Sequence, residues 1–280
     1  MPPIIRRAAV AGTWYPGSAS ALAAAVDGYV ASAGESRELD DLVALVAPHA
    51  GLMYSGPVAA HAYRLLRGRR VELAVLVGPS HFVAFDGVSI YGGHGFDTPF
   101  GVVPIDRACA DALVAASPLI RVDVAAAHRR EHSLEMQMPF LRHLAPDVKI
   151  VPLLMGAQTA DTTRGLGDVL STVLRGRRAL LIASTDLSHY HDAADAARLD
   201  AVVIDHVMRF DAEGLQRTLQ ARPDHACGGG PLVSVMRAAW LLGARDAVIL
   251  DYADSGDISG DKSSVVGYLA AALGTIKRSR

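Results

Sequence analysis

Short, almost uninterrupted apolar runs recur along this chain, and three of them end in a polar motif that contains histidine. Residues 42–47 are all apolar and lead into Pro48, His49, Ala50 and Gly51; residues 71–77 lead into Gly78, Pro79, Ser80 and His81. Residues 178–184 lead into Thr185, Asp186, Leu187, Ser188 and His189. Runs of this length without polar alternation predict strands buried on both faces. Residues 87–91, 148–154, 247–252 and 264–271 predict further strands, with a hairpin in the Gly- and Asp-rich stretch 82–104. Pro152 cannot donate to a ladder, which predicts that strand 148–154 is an edge or ends there.

Between these runs the pattern predicts helices over 18–31, 56–67, 106–116, 131–144, 162–174, 193–210, 212–220 and 231–242. Asp106 suits an N-cap and Pro231 a first helical turn. The polar stretch 32–41 reads as a surface connection. Strands alternating with helices indicate an α/β fold, a mostly parallel or mixed sheet flanked by helices. No stretch resembles an interdomain linker, so residues 1–280 are expected to form a single domain.

Composition narrows the function classes. Apolar residues make up 51% of the 280, and the net charge is −2. That balance gives no electrostatic case for nucleic acid, and no basic block suggests a membrane surface. No apolar run approaches the roughly 18 residues of a membrane span, and the first residues lack the order of a signal peptide. Two cysteines provide no disulfide framework. A cytoplasmic, reduced protein is the expectation. Zincin, zinc-ribbon, dinucleotide-binding and serine-hydrolase motifs are all absent from the sequence.

The candidate chemistry sits at the strand ends. In an open α/β sheet, ligands bind outside the carboxyl ends of the strands, and neutral imidazole is the commonest metal ligand there. His49 and His81 are therefore candidate ligands; the alternative is that each ring caps a strand end. Cys227 precedes Gly228, Gly229, Gly230 and a helix. Exposed glycine amides and a helix N-terminus lower a thiol pKa, so Cys227 is expected to be a thiolate, as ligand or nucleophile. Asp186 and His189 form a candidate acid/base pair at the third strand end. On a helix, Glu131 would share a face with Glu135, and so would His132; His132 and Glu135 are candidate outer-layer or substrate-contacting groups. Cys109 reads as core. His61, His94, His128, His143 and His206 read as structural, and His191 as solvent-exposed.

Taken together, these segments resemble the Memo family, whose bacterial and archaeal members are called AmmeMemoRadiSam system protein B. The residues that carry the resemblance are Ala11 to Tyr15, Ala47 to Gly51 with Tyr54, Ser55 and Gly56, Gly78 to His81, Glu131 to Met136, Ser184 to His189, Cys227 with Gly228, Tyr252 with Ala253, and Ser263 to Tyr268. The resemblance implies a fold like the class III extradiol dioxygenases, which use non-haem Fe(II). It implies a metal site of His49, His81 and Cys227, with His189 at the acid/base position and Asp186 in the pocket. Those dioxygenases use two histidines and a carboxylate. A thiolate in the third position suits copper as well as iron and makes catechol cleavage a poor expectation.

Three functional readings follow. In the first, one iron or copper ion on His49, His81 and Cys227 supports redox or O₂-linked chemistry, with His189 as acid/base oriented by Asp186. The second is a metal-free hydrolase in which Cys227 is the nucleophile and the following glycine amides form an oxyanion hole. The third is a cleft that binds a small molecule, a peptide, or the AMMECR-type and radical-SAM proteins that the family name associates with it, without chemistry.

Overall fold

The three apolar runs become adjacent parallel strands. The computed structural model describes residues 2–34 and 39–276. Its strands are β1 (Ile5–Arg6), β2 (Asp41–Ala47), β3 (Leu73–Pro79), β4 (Val88–Ile90), β5 (Gly95–Phe96), β6 (Val103–Pro104), β7 (Ile120–Val122), β8 (Lys149–Met155), β9 (Ala179–Ser184), β10 (His189–His191), β11 (Asp246–Asp254) and β12 (Val265–Thr275). Its helices are α1 (Ala19–Ser32), α2 (Leu52–Tyr63), α3 (Arg107–Ala116), α4 (Met138–Leu144), α5 (Ala160–Leu174), α6 (Ala193–Met208), α7 (Ala212–Ala221), α8 (Gly229–Leu241) and α9 (Gly256–Ser259).

The main sheet runs β10-β12-β2-β9-β3-β8-β4-β7, with β11 on the other edge of β12. Strands β2, β9, β3 and β8 are mutually parallel, β12 is antiparallel to β2, and β4 is antiparallel to β8. The sheet is therefore mixed, as expected of this α/β pattern. All seven residues of β3 are buried, which is why its sequence shows no alternation. The connection from β2 to β3 steps one way across β9, and the connection from β8 to β9 steps the other way. Right-handed crossovers then place α2 and α5 on opposite faces. Helix α2 packs on β2 and β12, while α8 packs on β9, β3 and α5. A small sheet, β1-β5-β6, holds the N-terminal segment, and β5 and β6 form the expected hairpin.

Several expectations change. Strand β8 is internal, between β3 and β4, not an edge. Pro152 sits mid-strand opposite Leu76, and the β4 ladder begins only at Leu153, so the proline is not flanked by ladders on both sides. The first helix after β2 starts at Leu52, before the expected Gly56, contains Pro57, and ends in a 3₁₀ turn over Arg64–Leu66. The expected helix 131–144 is helical only from Glu135, as a 3₁₀ turn followed by α4. Glu131 turns its carboxylate onto the N–H groups of His132 and Ser133, both at 2.9 Å. That local bond competes with helix formation. The middle of the expected connection 32–41, residues 35–38, lies outside the described residues. No helix among the described residues is long and apolar enough to cross a membrane.

Candidate metal centre

His49 follows β2, His81 follows β3, and Asp186 follows β9, which lies between them in the sheet. The sheet order thus brings the two imidazoles to either side of one crevice. Cys227 arrives from the loop before α8, and its backbone N–H reaches the Asp186 carbonyl at 3.2 Å. One ligand atom from each of His49, His81 and Cys227 lies within 4.8 Å of the others. Cys227 Sγ is 3.3 Å from His49 Nε2. A tetrahedral ion bound to nitrogen and sulfur separates its donors by about 3.3–3.6 Å, so this donor set fits a small metal ion.

Each ligand candidate is held from behind. His49 is 1% exposed; its Nδ1 lies 2.9 Å from Ser184 Oγ and its backbone N–H donates to Asp186 Oδ1 at 2.7 Å. Burial, with His81 and His132 adding to it, drives its pKa well below the usual histidine range, so the ring is neutral. His81 turns Nδ1 to Glu131 Oε1 at 2.9 Å and donates its backbone N–H to Glu131 Oε2 at 2.6 Å. Burial alone would raise the Glu131 pKa, but these bonds and the Ser133 N–H hold it at about 2. An ionised carboxylate behind a histidine fixes the tautomer and raises ligand basicity.

The thiol departs from expectation. Burial first, and then the Asp186 carboxylate, push the Cys227 pKa up, so the metal-free protein holds a protonated thiol and not the expected thiolate. Hydrogen bonds with the Asp186 backbone, Thr185 and the Gly228 amide pull the other way but are outweighed, and two of the glycine amides have other acceptors: Gly228 N–H donates to Thr185 Oγ1 and Gly230 N–H to Gln158 Oε1. The glycines answer to packing rather than to a ligand. A Cβ on Gly228 would meet the Ser184 carbonyl at 2.4 Å.

Asp186 and His189 do not form the expected pair. The Asp186 carboxyl accepts from the amides of His49 and Ala50, and burial raises its pKa to about 6 against those bonds. His189 instead places Nδ1 on the Leu187 carbonyl at 2.8 Å. A carbonyl only accepts, so Nδ1 carries the proton and Nε2 keeps the ring's free lone pair.

His132 lines the crevice, stacked on His81 at 4.6 Å and beside Trp14 at 4.3 Å. Burial lowers its pKa, the Glu131 and Glu135 carboxylates oppose that, and the proximity of His81 and Arg6 adds to it, leaving it at about 4. Glu135 is elsewhere. It is fully buried, pairs with Arg6 at 2.6 Å, and accepts from the Ala9 and Val10 amides and the Tyr15 hydroxyl. Its work is to anchor the N-terminal segment that carries Trp14. Glu131, Ser184 and Gln137 receive no role from the sequence, although Glu131 and Ser184 lie in the segments that carry the resemblance; their partners are set by tertiary contacts that leave no local pattern. Cys109 is core, and the other histidines pair structurally: His61 with Asp251, His94 with the Ile4 amide, His128 with the Ser89 carbonyl, His143 with Asp27, and His206 with Asp211. His191 is half-buried rather than exposed.

Beside Cys227 lies a cavity of about 330 Å³ lined by Gly156, Gln158, Gln216, Leu219 and Pro223. A larger one, about 670 Å³, opens at the amino ends of the strands around Arg69, Arg177 and Lys149, at the pole away from the histidines.

The profile of the Memo-like protein family matches residues 6–272. A MEMO1 family protein of Methanothermobacter thermautotrophicus is 37% identical, over 95% of this chain and 99% of its own. Another, from Methanosarcina mazei, is 38% identical over 95% and 98%. Among solved structures, an uncharacterized protein of Escherichia coli K12 superposes with a TM-score of 0.58 at 17% identity, covering 83% of this chain and all of that one; this likeness concerns the fold alone. With a family profile spanning nearly its whole length and full-length relatives above 30% identity, the chain belongs to the Memo family.

Proposed function

We propose that this protein binds one iron or copper ion on His49 Nε2, His81 Nε2 and Cys227 Sγ and carries out redox-linked chemistry on a small molecule or peptide. The observation that carries the reading is the convergence of one ligand atom from each of these three residues within 4.8 Å, each imidazole being bonded through Nδ1 to a group behind it. Two imidazoles and a thiolate suit iron, copper or zinc by donor type. Iron or copper would supply electron transfer or O₂ activation. Cys227 gives up its thiol proton on loading, because thiolate is the ligand form. His189, with Nε2 as its exchangeable atom, moves a proton to or from the substrate. His132 and Trp14 wall one side of the crevice and exclude water from it.

The metal-free cysteine hydrolase is disfavoured by the raised thiol pKa and the engaged glycine amides. The deciding experiment is elemental analysis of anaerobically purified protein beside His49→Ala and Cys227→Ala. About one iron or copper per chain, lost in both variants, is expected. Full metal content in either variant, or none in any sample after Fe(II) or Cu(I) reconstitution, removes the reading.

A further inference from the structure

His81 is backed by a carboxylate, but nothing charged backs His49 at Nδ1. Its partner there is a serine hydroxyl, which could donate or accept. The direction is settled by what else the hydroxyl touches. Ser184 Oγ lies 2.6 Å from the Ser133 carbonyl and 2.8 Å from Gln137 Nε2. The carbonyl only accepts, so it takes the single hydroxyl hydrogen. The Gln137 amide orientation is fixed in turn: its nitrogen also reaches the Pro48 carbonyl at 3.1 Å, and its oxygen accepts from the Tyr63 hydroxyl at 2.7 Å. Gln137 therefore donates to Ser184 and occupies one lone pair. The lone pair left over meets His49 Nδ1 at 2.9 Å. Tyr63, Gln137, Ser133 and Ser184 are all fully buried, so water does not offer an alternative partner.

We infer that Ser184, locked by Gln137 and the Ser133 carbonyl, is a positioning residue that holds His49 in the Nδ1–H tautomer and so aims the Nε2 lone pair at Cys227. Free histidine prefers the opposite tautomer, with the proton on Nε2. Without the lock, that proton would occupy the ligand position. The same assignment fits the 3.3 Å contact in the metal-free protein, where the thiol hydrogen faces two acceptors, Nε2 and the Asp186 carbonyl at 3.6 Å. Cys227 would give up that one proton in order to hold a metal ion there. This inference rests on the metal-site reading, but it is tested without metal.

Long-range ¹H–¹⁵N NMR of ¹⁵N-histidine-labelled, metal-free protein reads the tautomer of each ring, with His49→Gln assigning the signal. Wild type is expected to show His49 purely as Nδ1–H. Ser184→Ala is expected to show a mixture or the Nε2–H form, and Ser184→Thr, which keeps the hydroxyl, to restore Nδ1–H. Co(II) affinity, read by absorbance, should fall about 10- to 100-fold in Ser184→Ala and recover in Ser184→Thr. An Nε2–H signal in wild type overturns the inference even if neither variant folds. So does Ser184→Ala with an unchanged tautomer and affinity. Failure of Co(II) to bind wild type that shows the Nδ1–H form counts against the metal reading and leaves the tautomer assignment standing.

Discussion

Replacing Glu131 by glutamine separates the electrostatic support of His81 from its shape. The carboxylate accepts four hydrogen bonds: three on Oε1, from the His81 ring and the His132 and Ser133 amides, and one on Oε2 from the His81 amide at 2.6 Å. Glutamine keeps one oxygen for the three donors but turns an NH₂ toward the fourth. The His81 amide then faces a donor at close range. The Glu131 pKa falls from 4.5 to about 2 in the fold, and at about 1.36 kcal/mol per pH unit this corresponds to roughly 3 kcal/mol of stability. The Glu131 side chain is 2% exposed, so solvent does little to screen it. Because the folded pKa is the lower one, this stability is present above about pH 4.5 and is lost as pH falls toward 2. Glu131→Gln should therefore cost roughly 2–3 kcal/mol at pH 7, on the order of 3–5 °C in Tm for a chain of this size, and should lose its own share of the acid-denaturation slope. Loss of the ionised partner should also weaken metal binding about 10- to 100-fold. Urea denaturation at pH 7 and pH 4, with Co(II) titration on the same samples, measures both. A loss below about 0.5 kcal/mol with unchanged Co(II) affinity would refute the assignment of Glu131 as the charged support of His81.

Other outcomes follow from the same geometry. Metal uptake at pH 7.5 should release about one proton per ion from the Cys227 thiol, measurable with a pH indicator in weak buffer; zero release would mean the thiolate pre-exists, contrary to its raised pKa. Gly228→Ala places a Cβ 2.4 Å from the Ser184 carbonyl, so it should displace Cys227 and abolish metal binding, while an alanine at exposed Gly34, which has open space around it, should not. His128 is buried with its pKa lowered from 6.5 to about 3, so the unfolded chain takes up a proton that the fold refuses. Stability should fall as pH drops from 6.5 toward 3, by up to about 5 kcal/mol, and His128→Gln should flatten that limb in pH-dependent urea melts; an unchanged limb contradicts it.

How much of this was legible in the sequence depends on whether the signal was local. The β2, β3 and β9 runs announced themselves because burial on both faces removes polar alternation, and the motifs at their ends followed from where parallel strands deliver residues. Pro152 misled because its effect depends on where the neighbouring ladder begins, which only the tertiary arrangement sets. Residues 131–134 carried a helical pattern, yet the Glu131 carboxylate found two backbone N–H groups nearer than any helix would offer. The pairing of Glu135 with Arg6 spans more than a hundred residues and left no local trace. The thiol expectation failed for a similar reason: a Gly-rich helix start suggests a favourable field, but burial and the Asp186 carboxylate, distant in sequence, outweigh what the Gly228 amide and Thr185 contribute.

The aromatic wall of the crevice has an optical consequence. The chain has two tryptophans. Trp240 lies under the Arg245 guanidinium at 4.4 Å, on a helix end away from the histidines, whereas Trp14 stands 4.3 Å from His132, which stacks on His81. A Trp240→Phe chain would thus emit from a single indole built into the edge of the site. Entry of a paramagnetic or light-absorbing ion would quench that emission, giving a label-free titration of the centre and a stopped-flow record of how fast it fills.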